Sequence, residues 1–126
     1  MPKGRILIVD DEAVIADTLS ELLESWGYET AVAADGIEGL GSIEEFRPMV
    51  VVTDVYMPNL DGFGLLREVR ELHPETAVIL LTGQGTVEMA VRAIQEEGAF
   101  HYFEKPIVFS KLRLVVERAV EYAVAR

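Results

Sequence analysis

Ile6-Leu7-Ile8-Val9-Asp10-Asp11-Glu12 sets four branched aliphatic residues directly against three acids. An apolar run this short and continuous reads as a strand buried on both faces, the usual state of a central strand in a parallel sheet. The pattern recurs downstream. Val50-Val51-Val52-Thr53 runs into Asp54, and Val78-Ile79-Leu80-Leu81 runs into Thr82-Gly83-Gln84-Gly85. Glu29–Ala33 and Ala99–Phe103 are weaker strand candidates, expected nearer the sheet edges.

Between these runs the period changes to that of a helix. Ile15, Leu19, Leu22, Leu23 and Trp26 share one face, and Gly27 ends that helix. Asp35–Phe46 is a weaker helix diluted by Gly36, Gly39 and Gly41. Leu65, Leu66, Val69 and Leu72 form a face stopped at His73-Pro74. Val87, Ala90, Val91 and Ile94 form another, stopped by Gly98, and Leu112–Arg126 carries the last. Regular alternation of strand and helix predicts an α/β fold: an open, doubly wound, five-stranded parallel sheet with helices on both faces, in one domain over 1–126. In such sheets ligands bind beyond the carboxyl ends of the strands, where the strand order reverses.

Composition narrows the function. Of 126 residues 11 are basic and 22 acidic, a net charge of −11, so neither a phosphate backbone nor an anionic membrane surface is an expected partner. Cysteine is absent, which excludes disulfides, thiolate metal sites and a cysteine nucleophile. The longest purely apolar run, Ala77–Leu81, is far too short to span a bilayer, and the acids after Val9 end any resemblance to a signal peptide. A cytoplasmic location is expected.

The strand ends gather Asp10, Asp11, Glu12, Asp54, Thr82 and Lys105 on one rim. Crowded carboxylates need a cation or protons between them, and a hard divalent ion such as Mg²⁺ suits oxygen donors. With a hydroxyl and an ammonium alongside, the set can hold a phosphoryl group on a carboxylate. Each residue alone has a plainer reading. Asp11 can cap the first helix, Asp54 can be a loop residue, Lys105 a solvated lysine, and Thr82 part of an ordinary turn. Their coincidence at one rim favours chemistry.

Val9-Asp10-Asp11-Glu12, Asp54-Val55-Tyr56-Met57-Pro58-Asn59-Leu60-Asp61-Gly62, Leu81-Thr82-Gly83 and Gly98-Ala99 through Lys105-Pro106 together resemble the receiver domains of two-component response regulators. The Thr82–Gly85 turn is most similar to receivers of nitrogen-regulation-type activators. The resemblance implies the strand order 2-1-3-4-5 and a switch that takes a phosphoryl group from a histidine kinase's phosphohistidine. It makes Asp54 the phosphoacceptor, with Asp11 and Asp54 as direct Mg²⁺ ligands. Asp10 would act through water, and the Tyr56 carbonyl would complete the set. Thr82 and Lys105 would contact the phosphoryl oxygens, and Tyr102 would be the switch aromatic. The bond before Pro106 would be cis. Tyr56 and Gln84, two residues beyond Asp54 and Thr82, are expected at the mouth of the site. The readout surface would be the fourth helix, fifth strand and last helix, facing an effector domain, a partner protein or a second copy of the chain. Three positions depart from the family pattern: His101, Val108 and Gly64.

Three other functions compete. An aspartyl phosphatase needs a second carboxylate two residues after its nucleophile; Asp54 has Tyr56 there, though Asp10 has Glu12. A flavodoxin-like electron carrier needs a Ser/Thr-rich phosphate cradle where this chain has acids. The third is a stand-alone regulator, as against the receiver part of a larger transcriptional regulator or hybrid kinase. The expectation is a switch, not an enzyme with turnover.

Overall fold

The computed structural model describes residues 2–125. Its elements run β1 Arg5–Val9, α1 Ala13–Ser25, β2 Glu29–Ala33, α2 Gly36–Phe46, β3 Val50–Asp54, α3 Gly62–Leu72, β4 Ala77–Thr82, α4 Val87–Val91, β5 His101–Glu104 and α5 Phe109–Ala125. The strands form one parallel sheet in the order β2-β1-β3-β4-β5. Arg126, expected at the end of the last helix, lies outside the described residues.

Strand alternation divides the core into two layers. Ile6, Ile8, Val50, Val52, Ile79 and Leu81 turn toward α1 and α5, meeting Leu19, Leu23, Leu112 and Val116. Leu7, Val9, Val51, Val78 and Leu80 turn the other way, against Ile43 of α2, Leu65, Leu66 and Val69 of α3, and Ala93. Because β1, β3 and β4 are covered on both faces, they read as continuous apolar runs. Each fully buried aliphatic side chain contributes about 1.5–3 kcal/mol relative to exposure.

The helix ends follow their chemistry. Asp35 Oδ1 accepts from Glu38 N at 2.8 Å to open α2, Asp61 Oδ1 accepts from Gly64 N at 2.8 Å to open α3, and Thr86 Oγ1 accepts from Met89 N at 3.1 Å to open α4. Gly27 follows α1 with φ +98°, a left-handed conformation that glycine adopts without a Cβ penalty. At Val108, where no side-chain cap is available, the backbone carbonyl accepts from Lys111 N and Leu112 N and starts α5.

Three sequence expectations need correction. The stripe Val87, Ala90, Val91, Ile94 is not the buried face of α4: Val87 is 80% exposed and Val91 and Ile94 are more than 40% exposed. Beyond Val91 the helix widens into a π-helical turn, Arg92–Glu96, so the regular 3.6-residue count no longer tracks the inner side, and Ala93 is the residue that reaches the core. Trp26 is only half-buried, with Arg113 5.4 Å above its ring. His73 lies in the loop after α3, with its Nε2 2.9 Å from Glu44 Oε1. The fifth strand starts at His101, two residues later than its apolar run suggests, because Gly98 and the Ala99 N–H, which donates to Ala93 O, still belong to the helix end.

Candidate functional site

The order reversal falls between β1 and β3, and the residues that follow these strands converge there. Asp54 closes β3 and is only 6% exposed; Asp10, one residue past β1, is 2% exposed. Two carboxylates buried this far need partners. Lys105 supplies one: its Nζ lies 3.2 Å from Asp54 Oδ2 and 3.3 Å from Asp10 Oδ2, with Glu12 Oε1 at 3.7 Å. Asp10 Oδ1 accepts a second hydrogen bond, from Glu12 N at 2.9 Å. Backbone geometry sets this convergence. Lys105 N donates to Thr82 O at 2.8 Å, which anchors the lysine beside β4, and the bond to Pro106 is cis.

The opposite wall is equally constrained. Gly62 begins α3 so close to β3 that a Cβ there would lie 2.4 Å from the Asp54 carbonyl oxygen. Val55 N donates to Leu81 O, and Gly62 N to Val55 O, both at 2.8 Å. The loop after Asp54 is thereby pinned to its neighbours. Thr82 is fully buried, and its Oγ1 accepts from Gln84 N at 3.1 Å, which leaves the hydroxyl proton free to donate.

Electrostatics matches this crowding. Burial pushes the Asp54 carboxyl above its ordinary value; Lys105 pulls it back in part, and the charge on Asp10 pushes it up again. Burial alone would lower the Lys105 ammonium, but Asp10 and Asp54 together hold it above the ordinary lysine value. Burial also raises the Tyr102 phenol, with Glu104 and Tyr56 adding to the effect.

A cleft of about 320 Å³ opens over this cluster, lined by Asp11, Glu12, Asp54, Tyr56, Gln84 and Lys105. Tyr56 is half-exposed at its mouth, and its hydroxyl donates to the Met89 sulfur at 3.4 Å. Tyr102 is partly buried on the α4 side, near Thr82 and outside the cleft lining. On the far side of Lys105 lies an apolar groove of about 460 Å³, lined by Val14, Ile15, Leu19, Pro106, Ile107 and Phe109.

Among the described residues, the carboxylates that bring oxygens within 4.8 Å of one another are Asp10, Glu12 and Asp54. Glu12 is thus a member of the cluster that the sequence reading left out of its ligand set, while Asp11 is exposed along the cleft. Asp11 sits at a bend between β1 and α1, so spacing along the chain carries no signal for which of the three acids face one another. Nor does Asp11 cap α1, since the N-cap position is Glu12 and no side chain bonds there.

Known proteins share both sequence and shape with this chain. It is 38% identical over 118 residues to the nitrogen assimilation regulatory protein NtrX of Azorhizobium caulinodans, an alignment covering 92% of this chain and 26% of that protein. It is 41% identical over 118 residues to the regulatory protein AtoC of Escherichia coli K12, covering 94% of this chain and 25% of that one. The chain therefore spans about a quarter of the length of these curated relatives. The crystal structure of a response regulator receiver domain protein from Clostridium thermocellum superposes with a TM-score of 0.88 at 38% identity, covering 94% of each chain. The sequence profile of the response regulator receiver domain matches residues 6–117, a span that holds β2 to β5, all of β1 but Arg5, and the whole acidic cleft, and the chain belongs to that family.

Proposed function

We propose that this chain is a phosphorylation-operated signalling switch in which Asp54 accepts a phosphoryl group from the phosphohistidine of a histidine kinase. One observation carries the reading: a single ammonium, Lys105 Nζ, bridges the buried carboxylates of Asp10 and Asp54 at the point where the strand order reverses. Asp54 rather than Asp10 lines the cleft, which favours it as the nucleophile and weighs against an Asp10–Glu12 phosphatase. In the transfer an Asp54 oxygen attacks phosphorus, the P–N bond to the donor imidazole breaks, and its electron pair stays on nitrogen. Lys105 faces the phosphoryl oxygens as a fixed positive charge, and the Thr82 hydroxyl donates to one of them. The product remains on Asp54 until water removes it, so the chain acts as a switch and not as a catalyst with turnover.

The donor set fits Mg²⁺, since it offers only oxygens and several lie within 4.8 Å of one another. Asp10, Asp11, Asp54 and the Tyr56 carbonyl would hold the ion, with Glu12 as a further carboxylate at the same place. When bound, it supplies positive charge against the crowded carboxylates and the incoming phosphoryl oxygens.

The kinase segment that carries the phosphohistidine is assigned to the apolar groove beside Lys105, because Lys105, whose ammonium reaches Asp54, also lines that groove. The readout surface is α4, β5 and α5, facing an effector domain of a larger transcriptional regulator, a partner protein or a second copy. We further propose that residues 1–126 act as one domain in the cytoplasm; among the described residues, no helix is long and apolar enough to cross a membrane.

Incubation with acetyl phosphate and Mg²⁺ tests the acceptor. Mass spectrometry should find one added phosphoryl group, absent in Asp54→Asn. Undiminished labelling of that variant overturns the assignment.

A further inference from the structure

The Tyr102 hydroxyl is buried and has no hydrogen-bond partner among the described residues. It rests where a side chain at position 85 would be. A Cβ built on Gly85 would lie 2.2 Å from Tyr102 Oη, 3.1 Å from Cζ and 2.9 Å from Thr82 Cγ2. The backbone of Gly85 does not itself require glycine, because its φ is outside the left-handed region. Gly83, two residues earlier in the same turn, has nothing within 4 Å of its would-be Cβ. Steric demand in this turn therefore falls on one position and comes mainly from one side chain.

The location is telling. Gly85 separates Thr82, whose hydroxyl accepts from Gln84 N beside the cleft, from Thr86, whose hydroxyl caps α4 through Met89 N. Met89 in turn receives the Tyr56 hydroxyl from the mouth of the cleft. No residue of Val87–Val91 is buried, so α4 is held at this end largely by these few contacts. The inward ring of Tyr102 is held by packing alone, since its hydroxyl makes no bond. Such a position is easily tipped by a change in the space available to it.

We propose that Gly85 is the clearance that admits the Tyr102 ring, so that the size of residue 85 sets the balance between inward and outward positions of Tyr102. Through that balance it sets how strongly the Asp54 site is coupled to α4 and β5. The coupling half rests on the reading of Asp54 as phosphoacceptor; the clearance half does not.

Nitration by tetranitromethane, mapped to each tyrosine by mass spectrometry, reads the position of Tyr102 without any phosphate. Gly85→Ala should expose the ring and raise Tyr102 nitration about fivefold or more, the size expected when a minor outward state becomes the major one. Gly83→Ala should leave it at the wild-type rate. Equal nitration in Gly85→Ala and wild type, or an equal rise in Gly83→Ala, overturns the proposal. Removing the hydroxyl removes the nearest contact, so Tyr102→Phe should recover most of the melting temperature that Gly85→Ala loses. If Gly85→Ala does not fold, folding restored by Tyr102→Phe supports the clearance, and a double variant that stays unfolded refutes it. With acetyl phosphate and Mg²⁺, Gly85→Ala should label at Asp54 within about twofold of wild type yet show smaller amide shift changes along α4 and β5. Full-sized shift changes there overturn the coupling. A wild-type protein that takes no label defeats the Asp54 reading instead, and the nitration result still decides the clearance.

Discussion

Asp54 is held in a state that its own charge resists. Its carboxyl is raised above the ordinary value because burial outweighs the help from Lys105. A carboxyl raised on folding contributes stability that is fully present below its unfolded value and lost as pH rises through the folded one, so at neutral pH the ionised group is a net cost. Asp54→Asn should therefore melt a few degrees higher than wild type at pH 7, the size of a roughly 1 kcal/mol gain in a domain of this length. The gain should shrink as pH falls to and below the ordinary carboxyl value of 3.8, as the Asp54 carboxyl takes up its proton. Thermal melts at pH 7 and near pH 4 check this, and an equal gain at both would place its origin elsewhere. On the proposed reading of Asp54 as phosphoacceptor, function and stability are opposed at this residue, as is common where charge is kept for chemistry.

Among the elements, α3 and α4 stand at opposite extremes. The N-terminus of α3 presses on the end of β3, so that Gly62→Ala sets a Cβ against the rigid Asp54 carbonyl. The backbone must shift, at a cost of about 1–3 kcal/mol, and denaturant midpoints should fall accordingly. The displaced loop carries Tyr56, so the same variant should also label more slowly with acetyl phosphate. By contrast, α4 has an apolar stripe turned to solvent. Val87→Gln and Ile94→Gln should each change stability by less than about 0.5 kcal/mol, the range of ordinary surface substitutions. Losses of several kcal/mol would mean that the stripe is core after all.

For the whole molecule, a net charge of −11 is spread over 126 residues, and three of the carboxylates meet in one cluster. General repulsion yields to any salt, because ions screen exposed charges beyond about 10 Å at 0.1 M. The cluster is different, since two of its carboxylates are buried. Mg²⁺ should therefore raise the melting temperature beyond NaCl of equal ionic strength, and Asp10→Ala should reduce that excess. If both salts stabilise equally, the divalent ion acts by screening alone.

Much of this was legible along the chain because strands and helices have different periods and because the residue after a strand is covalently bound to emerge at its end. Ile6–Val9, Val50–Thr53 and Val78–Leu81 fixed the central strands, and the acids that follow them fixed the rim. Asp54 and Thr82 could be singled out for the same reason, and Lys105 through its place beside Pro106. What the one-dimensional pattern could not carry is direction and distance through space. Which of Asp10, Asp11 and Glu12 turn inward depends on backbone angles at the corner between β1 and α1, and there Glu12 joins the cluster while Asp11 stays at the cleft edge. A π-helical turn after Val91 altered the inner side of α4, which no regular repeat could foretell. The meeting of Lys105 with Asp10, 95 residues apart, and of Tyr102 with the empty side of Gly85, was decided only when the sheet closed, because those contacts are set by packing between elements and not by the order of residues within them.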